Sequence, residues 1–255
     1  MLYPRIIPCL LVRNKGLVKT VKFKDGKYVG DPLNAVKIFN EKEVDELIVL
    51  DIDATVQNIE PDYKMIENLA AECRMPLCYG GGIKTAVQAQ RIFNLGVEKI
   101  AISSAIIERP RLVSEIATRV GNQSVVAVLD VKKKMLGGYE IYTHNGMKKS
   151  RLNLLSFVLQ LEKLGVGEIV INSIDNDGMM KGYDLNLIAK IKETVNVPMT
   201  VIGGAGTTDD IAEVISQHGI IGVGAGSLFV FKGKYKAVLI SYPDEKEKEK
   251  IYCKE

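Results

Sequence analysis

Two stretches of sequence decide the fold: MPLCYGGGI at residues 75–83 and VPMTVIGGAG at residues 197–206. Each places a tight glycine turn directly after an apolar strand, and the two turns open 123 positions apart. The strand after each turn ends in a small or hydroxyl-bearing pair, Ser103-Ser104 or Gly226-Ser227, again 123 positions apart. This spacing predicts a chain built from two similar halves.

The repeat extends to the strands that precede the glycine turns. ELIVLDID at 46–53 matches EIVINSID at 168–175, and IIPCLLV at 6–12 matches VVAVLDV at 125–131. The halves therefore correspond strand by strand.

Short β-branched runs alternate with longer amphipathic segments along the chain. Strands are predicted near 5–12, 46–52, 76–80, 98–103, 124–130, 167–173, 198–203 and 220–225. Helices are predicted near 31–43, 61–73, 84–95, 110–119, 151–164, 185–195, 207–218 and 231–241. Almost wholly apolar strands need both faces buried, as in a parallel sheet covered by helices. The pattern predicts an α/β fold of the (β/α)8 TIM barrel type.

The barrel is expected to form one domain over residues 1–255, with half-barrels at about 1–122 and 123–243. A doubly wound open sheet is the alternative, but two equivalent four-strand halves close naturally into one barrel. The charged tail at 244–255 is expected to be a frayed helix or a solvated end.

Composition excludes several classes of protein. At 47% hydrophobic and 25% charged residues, the chain fits one large globular domain. A net charge of +3 with interspersed acids and bases gives no electrostatic case for nucleic acid. The apolar start stops at Arg13, too short for a membrane span or signal peptide, so we expect a soluble cytoplasmic protein.

The sequence offers no sign of a metal or cofactor site. His144 and His218 are the only histidines, and neither has ligand-spaced Cys, Asp or Glu around it. No nucleophile elbow and no dinucleotide fingerprint are found. The four cysteines show no CxxC spacing, so free thiols are expected at Cys9, Cys73, Cys78 and Cys253.

Reacting groups in such barrels lie at the C-terminal ends of the strands. Glycines there let backbone N–H groups approach an anion, and a following helix N-terminus adds a favourable dipole. Two equivalent glycine turns, each followed by a serine-bearing strand end, predict two phosphate sites and a ligand with a phosphate at each end. The predicted contacts are Gly81, Gly82, Ser103 and Ser104 in one half and Gly203, Gly204, Gly226 and Ser227 in the other.

Other polar residues are predicted near the same ligand. Ser173 and Asp177 follow the sixth strand. The lysine-rich segment 13–31 predicts a mobile cationic lid, with an ordinary solvated loop as the alternative. Lys19, in the middle of that segment, is expected to contact the substrate. The halves differ at one strand end, where Asp130 corresponds to Leu11.

Several segments together resemble the cyclase (HisF-type) subunit of imidazole glycerol phosphate synthase. They are RIIPCL at 5–10, DPLNAVKIFNEKEVDELIVLDI at 31–52, GGGI at 80–83, the strand ending in Asp130, NSIDNDGMMKGYD at 172–184 and IGGAG at 202–206. The resemblance implies a barrel that takes ammonia from a HisH-like glutaminase subunit docked at its N-terminal face. It also implies two aspartates at the other end, which close an imidazole ring on a bis-phosphorylated ribulosyl intermediate and split it.

The chain departs from that family at the site of the chemistry. The resemblance implies that Asp130 is one catalytic aspartate, whereas the other falls on Leu11. Leucine cannot titrate, and one positioned proton-transfer group typically contributes about 10²–10⁴ in rate. Asp53 stands where the family usually has threonine, and Ile202 where serine is usual. The phosphate sites are thus predicted to be retained and the cyclase machinery altered.

The opposite face retains the family's residues. Arg5, Glu46, Lys99 and Glu168 fall at N-terminal strand ends, where they are able to close a ring of alternating charge. Ordinary salt bridging on the stability face is the alternative, but by type and order the four resemble the family's ammonia gate. Glu98 falls where the family has an acidic residue at the glutaminase interface.

Two main functions follow, with no nucleic acid or membrane partner in either. One is a working cyclase in histidine biosynthesis, with Asp130 assisted by Asp53 or Asp177. The favoured one is a diverged subunit that supplies ammonia to another acceptor. GLVKTVKFKDGKYVGDP at 16–32 resembles paralogues associated with sugar amidotransferases of bacterial surface-polysaccharide biosynthesis. A phosphate-sensing scaffold without enzymatic activity is a third alternative.

Overall fold

A computed structural model describes residues 3–253. Eight parallel strands form the barrel. In chain order they span Arg5–Arg13, Leu47–Asp51, Leu77–Gly80, Lys99–Ile102, Val125–Lys133, Glu168–Ser173, Met199–Ile202 and Gly222–Ala225. All eight overlap the predicted strands, because β-branched runs buried on both faces are a strong local signal.

The sheet closes on itself. The first strand pairs in parallel with the eighth, Arg5 opposite Gly222, and with the second, Cys9 opposite Ile48. The remaining neighbours also pair in parallel around the ring. This closure confirms the (β/α)8 barrel and excludes the open doubly wound sheet.

Eight helices surround the barrel. They span Pro32–Glu41, Tyr63–Glu72, Ala86–Asn94, Leu112–Val120, Leu154–Lys163, Leu185–Lys192, Thr208–His218 and Glu245–Tyr252. Several begin at side chains that accept a backbone N–H of the first turn, such as Asp31 and Thr85. Two further short helices, Ser104–Glu108 and Ser227–Val230, follow the fourth and eighth strands directly.

The predicted helix at 231–241 is wrong. That segment forms a two-stranded hairpin, Phe231–Lys232 with Ala237–Val238, and its turn holds Gly233 and Lys236 in the left-handed region. A left-handed non-glycine residue interrupts a helix.

The eighth barrel helix lies instead in the charged tail, Glu245–Tyr252. The tail is therefore a helix, one of its two expected forms, but it is capped and packed rather than frayed. Asp244 and Glu247 form a capping box, and Ile251 is buried. Lys248 Nζ lies 2.8 Å from Asp45 Oδ1 at the N-terminal side of the second strand. Contacts with the rest of the barrel therefore stabilise this helix, although its charged composition alone predicts a solvent-exposed end.

The first and fifth strands both continue into antiparallel hairpins above the barrel. The first hairpin consists of Gly16–Val21 and Lys24–Gly30, and the second of Tyr139–Thr143 and Lys148–Lys149. The lysine-rich segment is thus an ordered hairpin joined to the first strand by the Leu11–Val18 pair. A hairpin at the same place in each half extends the internal repeat.

The core has two parts. A large cluster lies between the sheet and the helices, and a smaller one fills the barrel interior, where Ile7, Cys9, Ile48, Cys78 and Val126 are buried. Leu11 and Leu50 pack on top of the inner cluster and are half-buried. All four cysteines are free, as predicted. Within residues 3–253, no helix is long and apolar enough to span a membrane.

Candidate active site

A cavity of about 590 Å³ opens at the C-terminal ends of the barrel strands. Twelve of the predicted site residues line it: Leu11, Lys19, Gly81, Gly82, Ser103, Ser104, Asp130, Asp177, Gly203, Gly204, Gly226 and Ser227. The repeat therefore brings residues that are far apart in the sequence into one concave site.

Ser173 does not line the cavity, contrary to its predicted role. Its hydroxyl is buried and donates to Asn176 Oδ1 at 3.0 Å, because successive side chains on a strand point to opposite faces. The neighbouring Asn172 faces the cavity instead. Asp53 also lies outside the lining, where its carboxylate is paired with Arg13 at 3.2 Å.

The first half contains one of the two predicted anion cradles. Gly81 and Gly82 have φ of +130° and +72°, and a Cβ on Gly81 would lie 2.6 Å from the backbone oxygen of Asp51. Only glycine fits this turn. The short helix that follows Ser103 begins without a side-chain cap, so no side chain occupies its first N–H groups. The buried hydroxyl of Ser103 has no hydrogen-bond partner among the described residues, which leaves it free for a ligand.

The second half supplies an equivalent cradle. Gly203 and Gly204 have φ of +93° and +130°, and the short helix after Gly226 again begins without a side-chain cap. A Cβ on Gly226 would lie 2.7 Å from Lys19 Nζ. Glycine at this position thus leaves room for a cation beside the cradle, which suits a phosphate.

Lys19 is buried, with its Nζ 2.6 Å from the backbone oxygen of Cys9, to which it donates. Burial lowers the pKa of the Lys19 amine, although the nearby Asp177 acts in the opposite direction. The hairpin, rather than a mobile loop, carries this side chain into the cavity. Lys19 is therefore placed to meet an anion at low cost in side-chain entropy.

Asp130 is the acid of the cavity. Asn172 Nδ2 donates to its Oδ1 at 3.0 Å. Burial raises the pKa of Asp130 to about 7, the Asn172 hydrogen bond opposes that rise, and the charge of Asp177 adds to it. The residue thus holds and releases a proton near neutrality, as a general acid or base requires. Asn172 Oδ1 is buried without a partner in residues 3–253 and is free to accept from a ligand.

Asp177 anchors the first hairpin. The hydroxyl of Thr20 donates to its Oδ2 at 2.8 Å, and the backbone N–H of Phe23 donates to the same oxygen at 3.2 Å. Burial raises the pKa of Asp177, while those two hydrogen bonds and Lys19 lower it. This carboxylate is therefore committed to holding Lys19 and its hairpin in place.

A ring of charge closes the opposite end of the barrel. Lys99 Nζ lies 2.8 Å from both Glu46 and Glu168, and Arg5 reaches Glu168 at 2.7 Å and also pairs with Glu46. The Thr200 hydroxyl donates to Glu168. The sequence predicted the members of this ring, and the structure brings all four together.

Glu98 lies at the same end and is exposed. Its Oε2 accepts the backbone N–H of Leu77 at 2.8 Å, where the third strand begins. It therefore has a structural contact within the chain as well as a surface position.

Two cavity residues, His144 and Asn145, were missed by sequence reasoning. They occupy the turn between the strands of the second hairpin. The signal was the polar, glycine-containing segment THNG at 143–146, which marks a turn but not its position over the mouth. Residues 3–253 contain no group of three or more His, Cys, Asp or Glu placed to bind a metal ion.

Comparison with known proteins places this geometry in a family. Residues 5–236 match the sequence profile of the family described as "Histidine biosynthesis protein". A protein of Vibrio vulnificus, provisionally named imidazole glycerol phosphate synthase subunit hisF3, is 62% identical over 98% of this chain and 96% of its own length. A Pseudomonas aeruginosa protein, provisionally named subunit hisF2, is 52% identical over 96% and 97%. Imidazole glycerol phosphate synthase subunit HisF of Streptococcus sanguinis is 37% identical over 90% and 91%. The chain therefore belongs to the HisF-type family of imidazole glycerol phosphate synthase cyclase subunits.

Proposed function

We propose that this protein is the ammonia-receiving subunit of a glutamine amidotransferase system whose own cyclase activity is impaired. A HisH-like glutaminase docks at the end that carries the charged ring and Glu98. Ammonia then passes the ring and crosses the barrel to the cavity. The final amination takes place in the biosynthesis of bacterial surface-polysaccharide sugars.

The observation that carries the proposal is Leu11. It faces the same cavity as Asp130 and packs with Leu50 on the apolar interior cluster. A leucine there offers no proton to ring closure and ring cleavage, which require protons to be removed and delivered in successive steps.

Neither carboxylate that was considered as a substitute is free for that role. Asp53 is paired with Arg13 outside the cavity lining. Asp177 lines the cavity but accepts hydrogen bonds from Thr20 and Phe23. If Asp177 acted as the second acid, it would release the hairpin that positions Lys19. A working cyclase of this kind would therefore lose Lys19 as a substrate-binding group.

The chemistry of the barrel interior supports the other part of the proposal. Between ring and cavity, the barrel interior is lined by apolar side chains and the thiols of Cys9 and Cys78. Burial raises the pKa of both thiols, so they stay neutral. Such a lining favours neutral ammonia over ammonium, because an unpaired charge is costly to bury.

The experiment is ammonium-dependent turnover of the bis-phosphorylated ribulosyl intermediate, with ammonium salt in place of a glutaminase. We expect imidazole formation at least about 10²-fold slower than in a competent cyclase, the lower end of what one proton-transfer group contributes. Turnover within the ordinary enzyme range of roughly 1–10³ s⁻¹ would refute the proposal and return the protein to histidine biosynthesis.

A further inference from the structure

The turn at 144–147 lies across the mouth of the cavity. Asn145 Nδ2 donates to the backbone oxygen of Ile52 at 2.8 Å, on the loop after the second barrel strand. The turn itself belongs to the extension of the fifth strand, so this bond joins loops three strands apart. A Cβ on Gly146 would lie 3.4 Å from Phe23 of the first hairpin. The turn is thus held from two sides, with His144 and Asn145 in the cavity lining.

The backbone of this turn is left-handed at three successive residues. His144, Asn145 and Gly146 have φ of 54°, 56° and 75°. Histidine and asparagine are among the non-glycine residues that adopt this region most readily, and tight hairpin turns require it. The three residues therefore suit the turn that places them at the cavity.

One imidazole nitrogen of His144 has a partner within the chain. Its Nδ1 lies 2.9 Å from the hydroxyl oxygen of Thr143. Its Nε2 has no hydrogen-bond partner within residues 3–253.

His144 and Asp130 line the same cavity. Asp130 pairs directly with Tyr142 in the antiparallel ladder, and His144 begins the turn that follows the strand of Tyr142.

The other titratable side chains around the cavity already have partners within the chain. Lys19 donates to Cys9, Asp51 accepts from the backbone of Asp53 and Ala54, Lys84 donates to Asn58, Lys148 donates to Glu108, Arg109 pairs with Glu115, and Asp177 holds the first hairpin. The Cys9 thiol is neutral because burial raises its pKa to about 11. His144 thus offers an imidazole nitrogen without a partner in residues 3–253, in the cavity that Asp130 also lines.

We propose that His144 is the second proton-transfer residue of this cavity and acts on ammonia as it adds to a carbonyl of the bound ligand. The ammonia lone pair forms the C–N bond, and the carbonyl π pair moves to oxygen, which takes the proton of Asp130. The nitrogen then loses one proton to His144 Nε2. The product is a carbinolamine, with atoms and charge balanced between the two side chains. The inference rests on the proposed function, since it assumes that ammonia reaches this cavity.

The test compares His144→Asn with Met147→Ala. Asparagine tolerates the left-handed backbone and lacks a basic nitrogen, whereas Met147 belongs to the same turn, is 68% exposed and does not line the cavity. Ammonium-dependent consumption of the bis-phosphorylated ribulosyl intermediate is followed with enzyme in excess over ligand. We expect a slow wild-type rate above the buffer rate, a loss of about 10²-fold in His144→Asn and no change in Met147→Ala. Affinity for inorganic phosphate is expected to stay the same in both variants.

Two results would overturn the proposal: an unchanged rate in His144→Asn, or a wild-type rate equal to that of buffer. A wild-type rate equal to buffer leaves the proposed function standing. A wild-type rate in the ordinary cyclase range instead refutes the proposed function. In that case the rate of His144→Asn still decides whether His144 transfers a proton.

Discussion

Replacing Lys99 by methionine tests the charged ring at the N-terminal end of the barrel. Its ammonium lies 2.8 Å from both Glu46 and Glu168, whose side chains are only 3% and 5% exposed. Methionine is also unbranched, is one atom shorter and removes the charge. Breaking a buried ion pair by removing one partner typically costs about 3–5 kcal/mol, because a buried charge is left uncompensated. At about 2–4 °C per kcal/mol for a chain of this size, the melting temperature is expected to fall by roughly 6–20 °C.

The loss of stability depends on pH. Burial alone would raise the pKa of Glu168, but the charges of Arg5 and Lys99 outweigh burial and hold this pKa well below its usual value of 4.5. In the wild type, this stabilisation is therefore present above the pKa that Glu168 has in the unfolded chain. It is lost as the pH falls through the pKa of Glu168 in the folded protein. In Lys99→Met, two buried carboxylates share Arg5, and we expect the pKa of Glu168 to rise instead. The penalty of the substitution then grows from mildly acidic to neutral pH.

The measurement is urea unfolding of both proteins at about pH 7.5 and about pH 5. Lys64→Met is the matched control, since Lys64 lies 2.9 Å from Glu67 but is 76% exposed, and such pairs contribute less than about 1 kcal/mol. A loss in Lys99→Met no larger than in the control, or an equal loss at both pH values, would refute the reasoning. If the ring also gates ammonia, Lys99→Met is expected to weaken the coupling between glutaminase turnover and amination. The affinity of the barrel for phosphate is expected to change less than this coupling.

Three further predictions concern the cavity. Crystals soaked in millimolar phosphate are expected to show density at both cradles, Gly82 with Ser104 and Gly204 with Ser227, and two empty strand ends would count against the paired sites. Gly204→Ala is expected to lower the melting temperature more than Gly137→Ala. Both glycines have positive φ, but a Cβ at Gly204 would lie 2.2 Å from the backbone oxygen of Gly182, whereas nothing lies within 4 Å at Gly137. Equal losses would show that the positive φ accounts for the whole cost. Because the pKa of Asp130 is raised to about 7 in the folded protein, the contribution of this residue to the free energy of unfolding is highest below its pKa in the unfolded chain. That contribution is lost as the pH rises through 7. Asp130→Asn is expected to remove that decline, with a gain of about 1–2 kcal/mol above neutrality, and parallel pH profiles would contradict it.

The repeat explains why so much of the site could be predicted from the sequence. A barrel places every C-terminal strand end at one face, so a residue's position on its strand is enough to assign it to the cavity. Asp130 and both glycine turns were placed in this way, whereas Lys19 was predicted from its position in the middle of the lysine-rich segment. The prediction for Ser173 was wrong. The sixth strand does reach Ser173, but the side chain lies on the face turned away from the cavity, because a shift of one residue along a strand reverses the face.

The parts that could not be predicted depend on tertiary contacts. The segment 231–241 has helix-compatible residues, yet its turn at Gly233 and Lys236 makes it a hairpin. The tail 244–252 has a solvated composition, but Ile251 and the Lys248–Asp45 pair fix it as the eighth barrel helix. His144 lies over the cavity through the Asn145–Ile52 bond, which joins residues 93 positions apart and leaves no local signal.

We infer that Leu11 in place of an acid impairs cyclase chemistry in an otherwise intact barrel. The decisive measurement is the ammonium-dependent rate of Leu11→Asp beside that of Leu50→Asp. Leu50 is the register partner of Leu11 on the second strand, lines the same cavity and packs on the same apolar cluster. Both variants bury a charge, so unfolding curves are measured alongside. We expect a gain of about 10²-fold or more in imidazole formation for Leu11→Asp alone. An equal response of the two folded variants would contradict this inference.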